Sequence, residues 1–154
     1  MGIEIRKIEN AEEKRRICRV ILEALPEWFG IPEAREEYIS ESADKLFFAA
    51  MDGENPVGFL CLKETGRDTV ELYVMGVLKA RHRTGAGRAL VEAAKRTARE
   101  AGYAFMQVKT VQMGKYAEYD ATNRFYLAMG FKEFEVFPHL WDEWNPCQVY
   151  VMGL

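Results

Sequence analysis

The sequence predicts an α/β fold in which one mixed sheet is flanked by helices. Two helical patterns follow a first short strand, and two tight turns then join three consecutive strand patterns. A strand, a glycine-containing loop, a long helix and a further strand come next. A strand–helix–strand crossover of this length requires parallel strands, whereas the tight turns require antiparallel neighbours. At 154 residues the chain is expected to form one domain, 1–154.

The composition argues against several classes of partner. The formal net charge of −3 disfavours nucleic-acid or anionic-membrane binding over the whole surface. No apolar run approaches the ~18 residues that a membrane span needs, and the N-terminal residues lack a signal-peptide pattern. Cys18, Cys61 and Cys147 are far apart among apolar residues, which is typical of buried, reduced thiols. We therefore expect a cytoplasmic protein without nucleic-acid or membrane partners.

The first elements are a strand and two helices. Isoleucines alternate with charged residues over 3–8, which predicts the strand. Asn10 is the predicted N-cap of a helix that continues to about Ala24. Pro32 occupies a helix N1 position, so a second helix is expected from there to about Ala43.

Three strand patterns follow, over 46–51, 57–63 and Thr69–Val77. Residues 52–55 have the composition of a hairpin turn, and 65–68 form a second turn. The three strands are therefore expected to be antiparallel neighbours.

The stretch from the third strand onward contains the long helix. Gly76 interrupts the strand near its end, which marks a β-bulge, a close approach of another part of the chain, or simple fraying of the strand end. Small and apolar residues then recur at i, i+3, i+4 and i+7 over 86–101, as in an amphipathic helix. Gly102 is the predicted C′ residue that ends this helix.

Four more elements complete the expected fold. They are a strand, a short helix and two further strands, over 103–111, 121–129, 131–137 and 149–152. Asp120 or Thr122 is the expected N-cap of the short helix, and Gly130 ends it.

The loop before the long helix has the composition of a phosphate-binding site. Four basic residues cluster where the helix dipole already places positive partial charge: Lys79, Arg81, Arg83 and Arg88. Cations at this end are mildly unfavourable unless an anion lies among them. Gly85 and Gly87 let a ligand approach the backbone amides, as a pyrophosphate requires. The alternative is a solvated basic turn, in which these glycines would have no purpose.

Two common phosphate-binding motifs do not fit this loop. The dinucleotide fingerprint fails because Leu90 stands where its third glycine would be. A Walker A loop fails because no Gly-Lys-Ser or Gly-Lys-Thr ending is present.

Residues 77–90, with His82-Arg83-Thr84-Gly85-Ala86-Gly87 inside them, resemble the acyl-CoA-binding motif of the GNAT superfamily of N-acetyltransferases, Gln/Arg-x-x-Gly-x-Gly/Ala. A second signature of that family, a tyrosine four residues before Gly-Phe on a late helix, is matched by Tyr126. The order of elements agrees over almost the whole chain. His82 departs from the motif, and Asn123 lies closer to the tyrosine than the family's frequent asparagine does.

The resemblance implies a fold with a splayed central sheet and acetyl-CoA as cosubstrate. Backbone groups of Met75, Gly76 and Val77 would contact the acetyl carbonyl and the pantetheine arm. The pyrophosphate would be held by the loop, which here comprises His82, Arg83, Thr84, Gly85, Ala86, Gly87 and Arg88. The resemblance gives Tyr126 the role of protonating the departing thiolate, and it assigns Asn123 to the cofactor site.

A base is also expected, because the acceptor amine must be neutral to attack. Glu71 lies on the strand face that Tyr73 shares and is the candidate base, with a water chain or His139 as other options. His82 and His139 are isolated and lack the spacing of metal ligands, so no metal site is expected.

Aromatic residues are the candidates for binding the acceptor amine, above all Trp28, Phe29 and Tyr73. Trp28 and Phe29 lie between the first two helices, where they either plug the edge of the core or line a pocket. Further residues could frame the pocket or attract a cationic amine, namely Tyr38, Trp141, Trp144, Glu33 and Glu37. The sequence does not choose between small amines and peptides.

The leading hypothesis is a cytoplasmic acetyl-CoA-dependent N-acetyltransferase that moves an acetyl group directly to a primary amine in a ternary complex. The alternative is a non-catalytic acyl-CoA sensor or interaction module on the same fold, and Tyr126 argues mildly against it. Exposed residues of the last strand and of the aromatic loop 139–146 leave a homodimer open.

Overall fold

The computed structural model describes residues 2–154 and confirms the predicted α/β class. These residues form seven strands and four α-helices: β1 Glu4–Lys7, α1 Ala11–Glu23, α2 Pro32–Glu41, β2 Leu46–Asp52, β3 Asn55–Gly66, β4 Thr69–Val77, α3 Ala86–Glu100, β5 Phe105–Val111, α4 Ala117–Ala128, β6 Lys132–Phe137 and β7 Cys147–Gly153. The strands form one mixed sheet in the order β1-β2-β3-β4-β5-β7-β6. None of the helices in this range is long and apolar enough to cross a membrane.

The chain divides into two compact units, and each is described by itself. The first unit comprises the described residues up to Lys63 together with Tyr73–Thr97. The second unit comprises Glu64–Leu72 and Ala98–Leu154. The boundaries fall within β3, β4 and α3, so each unit contains part of the sheet.

In the first unit, both helices begin at the residues that the sequence marks. The side-chain oxygen of Asn10 accepts a hydrogen bond from the Glu13 amide at 2.9 Å and caps α1, as predicted. Pro32 is the first residue of α2, where its missing N–H costs no helical hydrogen bond. α2 ends at Glu41 and continues as a 3₁₀ turn over Ser42–Asp44, which agrees with the predicted end near residue 43.

The core of the first unit joins α1 to the sheet. Ile17, Ile21 and Leu22 lie on one face of α1 and are fully buried. They belong to one apolar cluster with Phe47 and Phe59, whose rings stack with centroids 5.3 Å apart. Burial of this amphipathic face is what holds α1 in place, because isolated helices of this length are marginal in water.

The first predicted hairpin is also confirmed. β2 and β3 are antiparallel, and Asp52 is paired with Asn55 at the turn. Gly53 has a φ of 62°, a left-handed conformation that suits glycine in such turns. β1 pairs antiparallel with β2 on the other side, with Glu4 opposite Met51.

Gly76 lies within β4 and marks a close approach, one of the three interpretations that the sequence leaves open. A Cβ atom built on Gly76 would lie 2.9 Å from Leu25 Cδ1 and 3.0 Å from Ile21 Cγ2. Both contacting residues are buried, so neither can move away freely. The absence of a side chain at Gly76 therefore allows the end of α1 to pack directly on the β4 backbone.

In the second unit, β4 and β5 are parallel, as the crossover predicts. The paired residues run from Thr69 with Phe105 to Leu72 with Val108. β7 is antiparallel to β5 along its length and antiparallel to β6 on its other side. α3, which connects the parallel strands, ends at the predicted position, and Gly102 follows it with a φ of 94°.

The predicted short helix begins earlier than expected. α4 starts at Ala117, and its N-cap residue Tyr116 makes no side-chain cap hydrogen bond. Asp120 lies inside the helix, where its carboxylate accepts the Gly114 N–H at 2.7 Å. The Thr122 hydroxyl donates to the backbone carbonyl four residues before it. The prediction that Asp120 or Thr122 caps this helix is therefore wrong, because both side chains bond to other backbone groups.

β6 lies at one end of the strand order and contains a β-bulge. Its register with β7 shifts between Glu133 and Glu135, so Phe134 is the extra residue. The Phe134 side chain is 66% exposed, and Lys132 beside it is exposed as well. This strand therefore has an irregular, charged outer edge.

Replacing Gly76 with alanine is expected to destabilise the protein by about 1–3 kcal/mol, because the new methyl group overlaps two buried side chains. Gly66→Ala is the matched control: Gly66 is also in a strand, and a Cβ added there would have no atom within 4 Å. Its effect should stay within about 0.5 kcal/mol. Urea unfolding of both variants measures the difference, and equal midpoints would contradict the close-approach interpretation.

Candidate functional site

The backbone of the β4–α3 loop, residues 78–85, turns sharply before the helix. Arg83 has a φ of 65°, which is uncommon for a residue with a side chain, and Gly85 has a φ of 90°. Left-handed residues in a turn can bring neighbouring backbone N–H groups to one side, an arrangement that binds anions. The turn before α3 is exposed at residues 82–85.

The first turn of α3 provides further donors. The helix begins at Ala86, and the Ala89 N–H donates to the Gly85 carbonyl at 2.9 Å. The amides of Ala86, Gly87 and Arg88 come before this bond, and residues so early in a helix have no intrahelical acceptor. They lie at the positive end of the helix dipole, which favours phosphate groups.

The charges of this loop differ from the sequence-based expectation. Lys79 Nζ forms an ion pair with Glu27 at 2.6 Å, and Arg81 forms one with Asp52. The hydrogen bonds from these cations lower the pKa values of the Glu27 and Asp52 carboxyls. The expectation that four basic residues serve an anion is therefore corrected, because two of them already have carboxylate partners. Arg83 and Arg88 have exposed side chains.

His82 connects the loop to neighbouring parts of the first unit. Its Nε2 lies 2.7 Å from the Val77 carbonyl oxygen. A carbonyl can only accept, so Nε2 carries the hydrogen in this contact. The imidazole also packs edge-on against Trp28, with ring centroids 5.9 Å apart. These contacts direct the ring toward the end of β4 and the α1–α2 connection.

The end of β4 contains the three residues that the resemblance assigns to the acetyl group and the pantetheine arm. Met75 and Val77 are half-buried, and Gly76 is buried beneath α1. The Val77 carbonyl is already engaged by His82. The Leu78 N–H donates to the Val57 carbonyl at 2.9 Å, which joins the strand end to β3.

An aromatic cluster lies in the first unit, formed by Phe29, Tyr38 and Tyr73. Tyr38 contacts both of the other rings edge-on, with centroids 5.9 Å from Phe29 and 5.3 Å from Tyr73. Two lysine ammonium groups lie near the Tyr73 ring, at 5.0 Å for Lys45 and 5.2 Å for Lys63. The structure thus places Phe29 and Tyr73 in one cluster, while Glu33 and Glu37 are exposed on α2.

The Tyr73 hydroxyl is a hydrogen-bond donor to Glu41 at 2.9 Å. Burial raises the pKa of Tyr73, and the hydrogen bond to the Glu41 carboxylate raises it further. Tyr73 is therefore neutral at physiological pH, with its hydroxyl hydrogen directed at a carboxylate. β4 places its ring two residues before Met75, about 7 Å along the strand.

In the second unit, Tyr126 and Asn123 lie on the buried side of α4. Tyr126 is 6% exposed, and its ring packs near Phe131 and Tyr150, with centroids 5.7 and 6.3 Å away. Asn123 is 0% exposed and hydrogen-bonds within the protein to Val111 and Tyr150, among others. The Asn123 side chain thus hydrogen-bonds to groups of the second unit.

Glu71, the candidate base, is 8% exposed in β4. Its Oε1 lies 3.2 Å from Lys109 Nζ on β5, the strand that pairs with this part of β4. No pattern in the sequence pointed to Lys109 as its partner.

The connection between β6 and β7 contains the other aromatic candidates. Trp141 and Trp144 are 47% and 68% exposed, and His139 is exposed too. The Asp142 carboxylate accepts the amides of Trp144 and Asn145 at 2.7 Å, which shapes this loop into a tight turn. Within residues 2–154, no group of three or more His, Cys, Asp or Glu side chains is arranged to hold a metal ion.

The three cysteines are free and buried, as the sequence predicts. Burial raises the pKa of the Cys18 thiol to about 12 and that of Cys147 to about 11, and it also raises the pKa of Cys61. A thiol is nucleophilic only as the thiolate, so none of the three is suited to attack a thioester.

Several relevant contacts had no signal in the sequence. The partners of Tyr73, Asn123 and Lys79 lie 32, 27 and 52 residues away along the chain. Pairs so distant leave no local pattern in composition or spacing. The turn at Gly85 was the exception, since glycines at the start of a helix marked it directly.

A family model for the acetyltransferase (GNAT) family matches residues 13–131, which is more than half of the chain. The chain therefore belongs to this family. No curated protein matches it by sequence.

Solved structures of acetyltransferases share the fold. A GNAT-family protein from Desulfovibrio desulfuricans is 21% identical over 99% of both chains, with a TM-score of 0.82. The ribosomal-protein-S18-alanine N-acetyltransferase of Escherichia coli is 17% identical over 98% of this chain and 93% of that chain, with a TM-score of 0.77. PaiA N-acetyltransferase from Thermoplasma acidophilum, solved with coenzyme A, is 20% identical over 97% and 98%, with a TM-score of 0.72. Family and fold together support an acyl-CoA-dependent acetyltransferase.

In the Tyr73→Phe variant, the free energy of unfolding is expected to fall less steeply as the pH rises into the alkaline range. Folding raises the pKa of Tyr73. Its contribution to the free energy of unfolding is therefore complete below the pKa of the unfolded state, about 10, and is lost as the pH rises above that value. Urea midpoints from about pH 8 to 11 should therefore fall less steeply in the variant. Tyr116→Phe, at a tyrosine that is 45% exposed, is the control. Parallel curves for wild type and Tyr73→Phe would contradict the assignment.

Proposed function

We propose that this protein transfers an acetyl group from acetyl-CoA to a primary amine, directly and within a ternary complex. The observation that carries the proposal is the turn at Gly85, which leaves the amides of Ala86, Gly87 and Arg88 at an exposed helix N-terminus. Gly85 and Gly87 stand at the glycine positions of the family's acyl-CoA motif, from which only His82 departs, and PaiA N-acetyltransferase, of the same fold, was solved with coenzyme A.

In this proposal the loop binds the pyrophosphate of acetyl-CoA. The amides from Arg83 to Arg88 supply the hydrogen bonds, and the helix dipole adds favourable potential. Arg83 and Arg88 are exposed and supply the countercharge. His82 contributes by holding the end of β4, since its ring bonds to the Val77 carbonyl. The thioester then lies beside the backbone of Met75, Gly76 and Val77.

The proposed reaction is a single displacement at the thioester carbonyl carbon. The amine nitrogen forms a bond to this carbon, and the carbon–sulfur bond breaks. The amine loses one proton to a base, for which we propose Glu71, and the departing thiolate takes one proton from the Tyr126 hydroxyl. The products are an acetylated amine and coenzyme A with a free thiol.

The state of the cysteines supports direct transfer. A two-step reaction through an acetyl-enzyme would need an accessible nucleophile, and a cysteine thiolate is the most reactive candidate. Cys18, Cys61 and Cys147 are all 0% exposed, with pKa values raised by burial. The amine is therefore proposed to attack acetyl-CoA itself.

The acceptor is proposed to lie against the aromatic cluster of Phe29, Tyr38 and Tyr73. This cluster lies on α2, on the preceding connection and on the strand that also carries Met75. Trp28 supports the site through its contact with His82. A small amine and a peptide amine both fit this description.

Gly85→Asp is expected to abolish acetyl-CoA binding, because a carboxylate in the turn repels the pyrophosphate and blocks the amides. At 100 times its Kd, acetyl-CoA should stabilise the wild type by about 2.7 kcal/mol, a rise in Tm of roughly 5–10 °C. The rise should disappear in the variant. Thermal unfolding with and without acetyl-CoA measures it.

Gly53→Asp is the matched control for this experiment. Gly53 also has a positive φ, of 62°, and a Cβ added there would have no atom within 4 Å. The control therefore introduces the same charge in a similarly strained turn and should keep the full shift. A wild type that acetyl-CoA does not stabilise would refute the proposed function.

Tyr126→Phe is expected to lower kcat by about 100-fold or more while acetyl-CoA affinity changes little, because the hydroxyl acts only when the thiolate departs. Release of free thiol is measured with spermidine, L-lysine, kanamycin and a peptide with a free N-terminus as acceptors. Equal losses of turnover and affinity would contradict the role of acid. Acetyl-CoA binding with no thiol release for any acceptor would favour the sensor alternative.

A further inference from the structure

The side chain of Asn123 forms a closed hydrogen-bond network in the second unit. Its Nδ2 donates to the Val111 carbonyl at 2.9 Å and to the Tyr119 carbonyl at 2.6 Å. Its Oδ1 accepts the Tyr150 hydroxyl at 2.5 Å. Backbone carbonyls can only accept hydrogen bonds. The carbonyl oxygens of Val111 and Tyr119 must therefore face the NH₂ group of Asn123, which fixes the orientation of the carboxamide. Both N–H groups of Asn123 are thereby used inside the protein.

The three partners of Asn123 lie in three different elements. Val111 is the last residue of β5, Tyr150 lies in β7, and Tyr119 lies in the preceding turn of α4. Asn123 is 0% exposed, so water does not compete for these bonds. A hydrogen bond weakens steeply with distance and angle. The network therefore restrains both the rotation of α4 about its axis and its height above the two strands.

Tyr126 lies on the same face of α4, since residues three apart in a helix are neighbours on its surface. Its ring contacts the ring of Tyr150, with centroids 6.3 Å apart, and the ring of Phe131, at 5.7 Å. Tyr150 thus contacts Tyr126 through its ring and Asn123 through its hydroxyl. One residue of β7 links the buried amide to the proposed acid.

We infer that Asn123 and Tyr150 are positioning residues for Tyr126, an inference that rests on the proposed role of Tyr126 as acid. Together they hold the α4 segment so that the Tyr126 hydroxyl keeps one position relative to β5 and β7. A misplacement of about 1 Å at a reacting group can cost about 100-fold in rate. Asn123 therefore contributes to turnover without contacting the cosubstrate.

Tyr150→Phe is the sharpest test, because it removes one hydroxyl and keeps the ring that packs near Tyr126. The variant should lose about 10- to 100-fold in kcat, with KM for acetyl-CoA within about twofold of the wild type. The same substitution in a Tyr126→Phe background should cause no further loss, since there is no longer a hydroxyl to position. The acceptor is whichever of the four named above the wild type turns over fastest.

Tyr103→Phe is the matched control in the same unit. The Tyr103 hydroxyl also donates to a side chain, the Glu64 carboxylate, but this pair is exposed. The control should keep kcat within about twofold, because exposed hydrogen bonds of this kind contribute little. Asn123→Asp is a second variant: its added oxygen would face the carbonyls of Val111 and Tyr119, and it should lower kcat at least as much as Tyr150→Phe.

A crystal structure of Tyr150→Phe provides a readout that does not depend on activity. We expect the Tyr126 hydroxyl to move by about 1 Å in this variant or to occupy more than one position, because a displacement of that size is enough to lower the rate. An unmoved Tyr126 in this variant would overturn it, whatever the acceptor assays show.

The kinetic outcomes separate this inference from the proposed function. If Tyr126→Phe lowers kcat but Tyr150→Phe does not, the inference is overturned and the role of Tyr126 stands. If Tyr150→Phe lowers kcat equally in both backgrounds, its effect is general and the inference is overturned as well. If Tyr126→Phe leaves kcat unchanged, the proposed acid fails and the positioning role falls with it.

Discussion

The packing of α1 on β4 at Gly76 is the constraint on which the first unit depends. Without a Cβ at this position, Ile21 and Leu25 lie directly on the strand backbone. Leu25 lies in the α1–α2 connection, residues 24–31, which also contacts the β4–α3 loop. There Glu27 pairs with Lys79, and Trp28 packs against His82. The missing side chain at Gly76 thus lets Ile21 and Leu25 lie close to the end of β4, next to the place where these two loops meet.

The β4–α3 loop combines paired cations with backbone amides at the start of α3. Two of its cations are held by carboxylates and contribute to the loop's shape, while the amides of the first turn of α3 remain available. Backbone amides cannot be protonated or deprotonated at physiological pH, and their directions are set by the helix. Backbone amides fixed in this way can bind an anion.

Sequence patterns predicted the elements whose signals are local. The Asn10 cap, the turn at Gly53 and the C′ position of Gly102 each depend on a few adjacent residues, and all three were confirmed. The start of α4 was missed because Asp120 serves a loop amide rather than the helix end. The internal role of Asn123 was missed because its partners in β5 and β7 become neighbours only when the sheet assembles. Contacts between residues that are far apart in the sequence produce no local periodic pattern, so sequence patterns do not predict them.

The bulge in β6 affects how readily the sheet can pair with another chain at high protein concentration. A regular outer strand offers a row of unpaired N–H and C=O groups on which another chain can add a strand. The extra residue at Phe134 interrupts that row, and the charges of Lys132, Glu133 and Glu135 disfavour an incoming strand. At the opposite end, β1 is only four residues long. Both edge strands of the sheet therefore disfavour the addition of a strand from another chain. This holds even though several aromatic side chains are exposed to water.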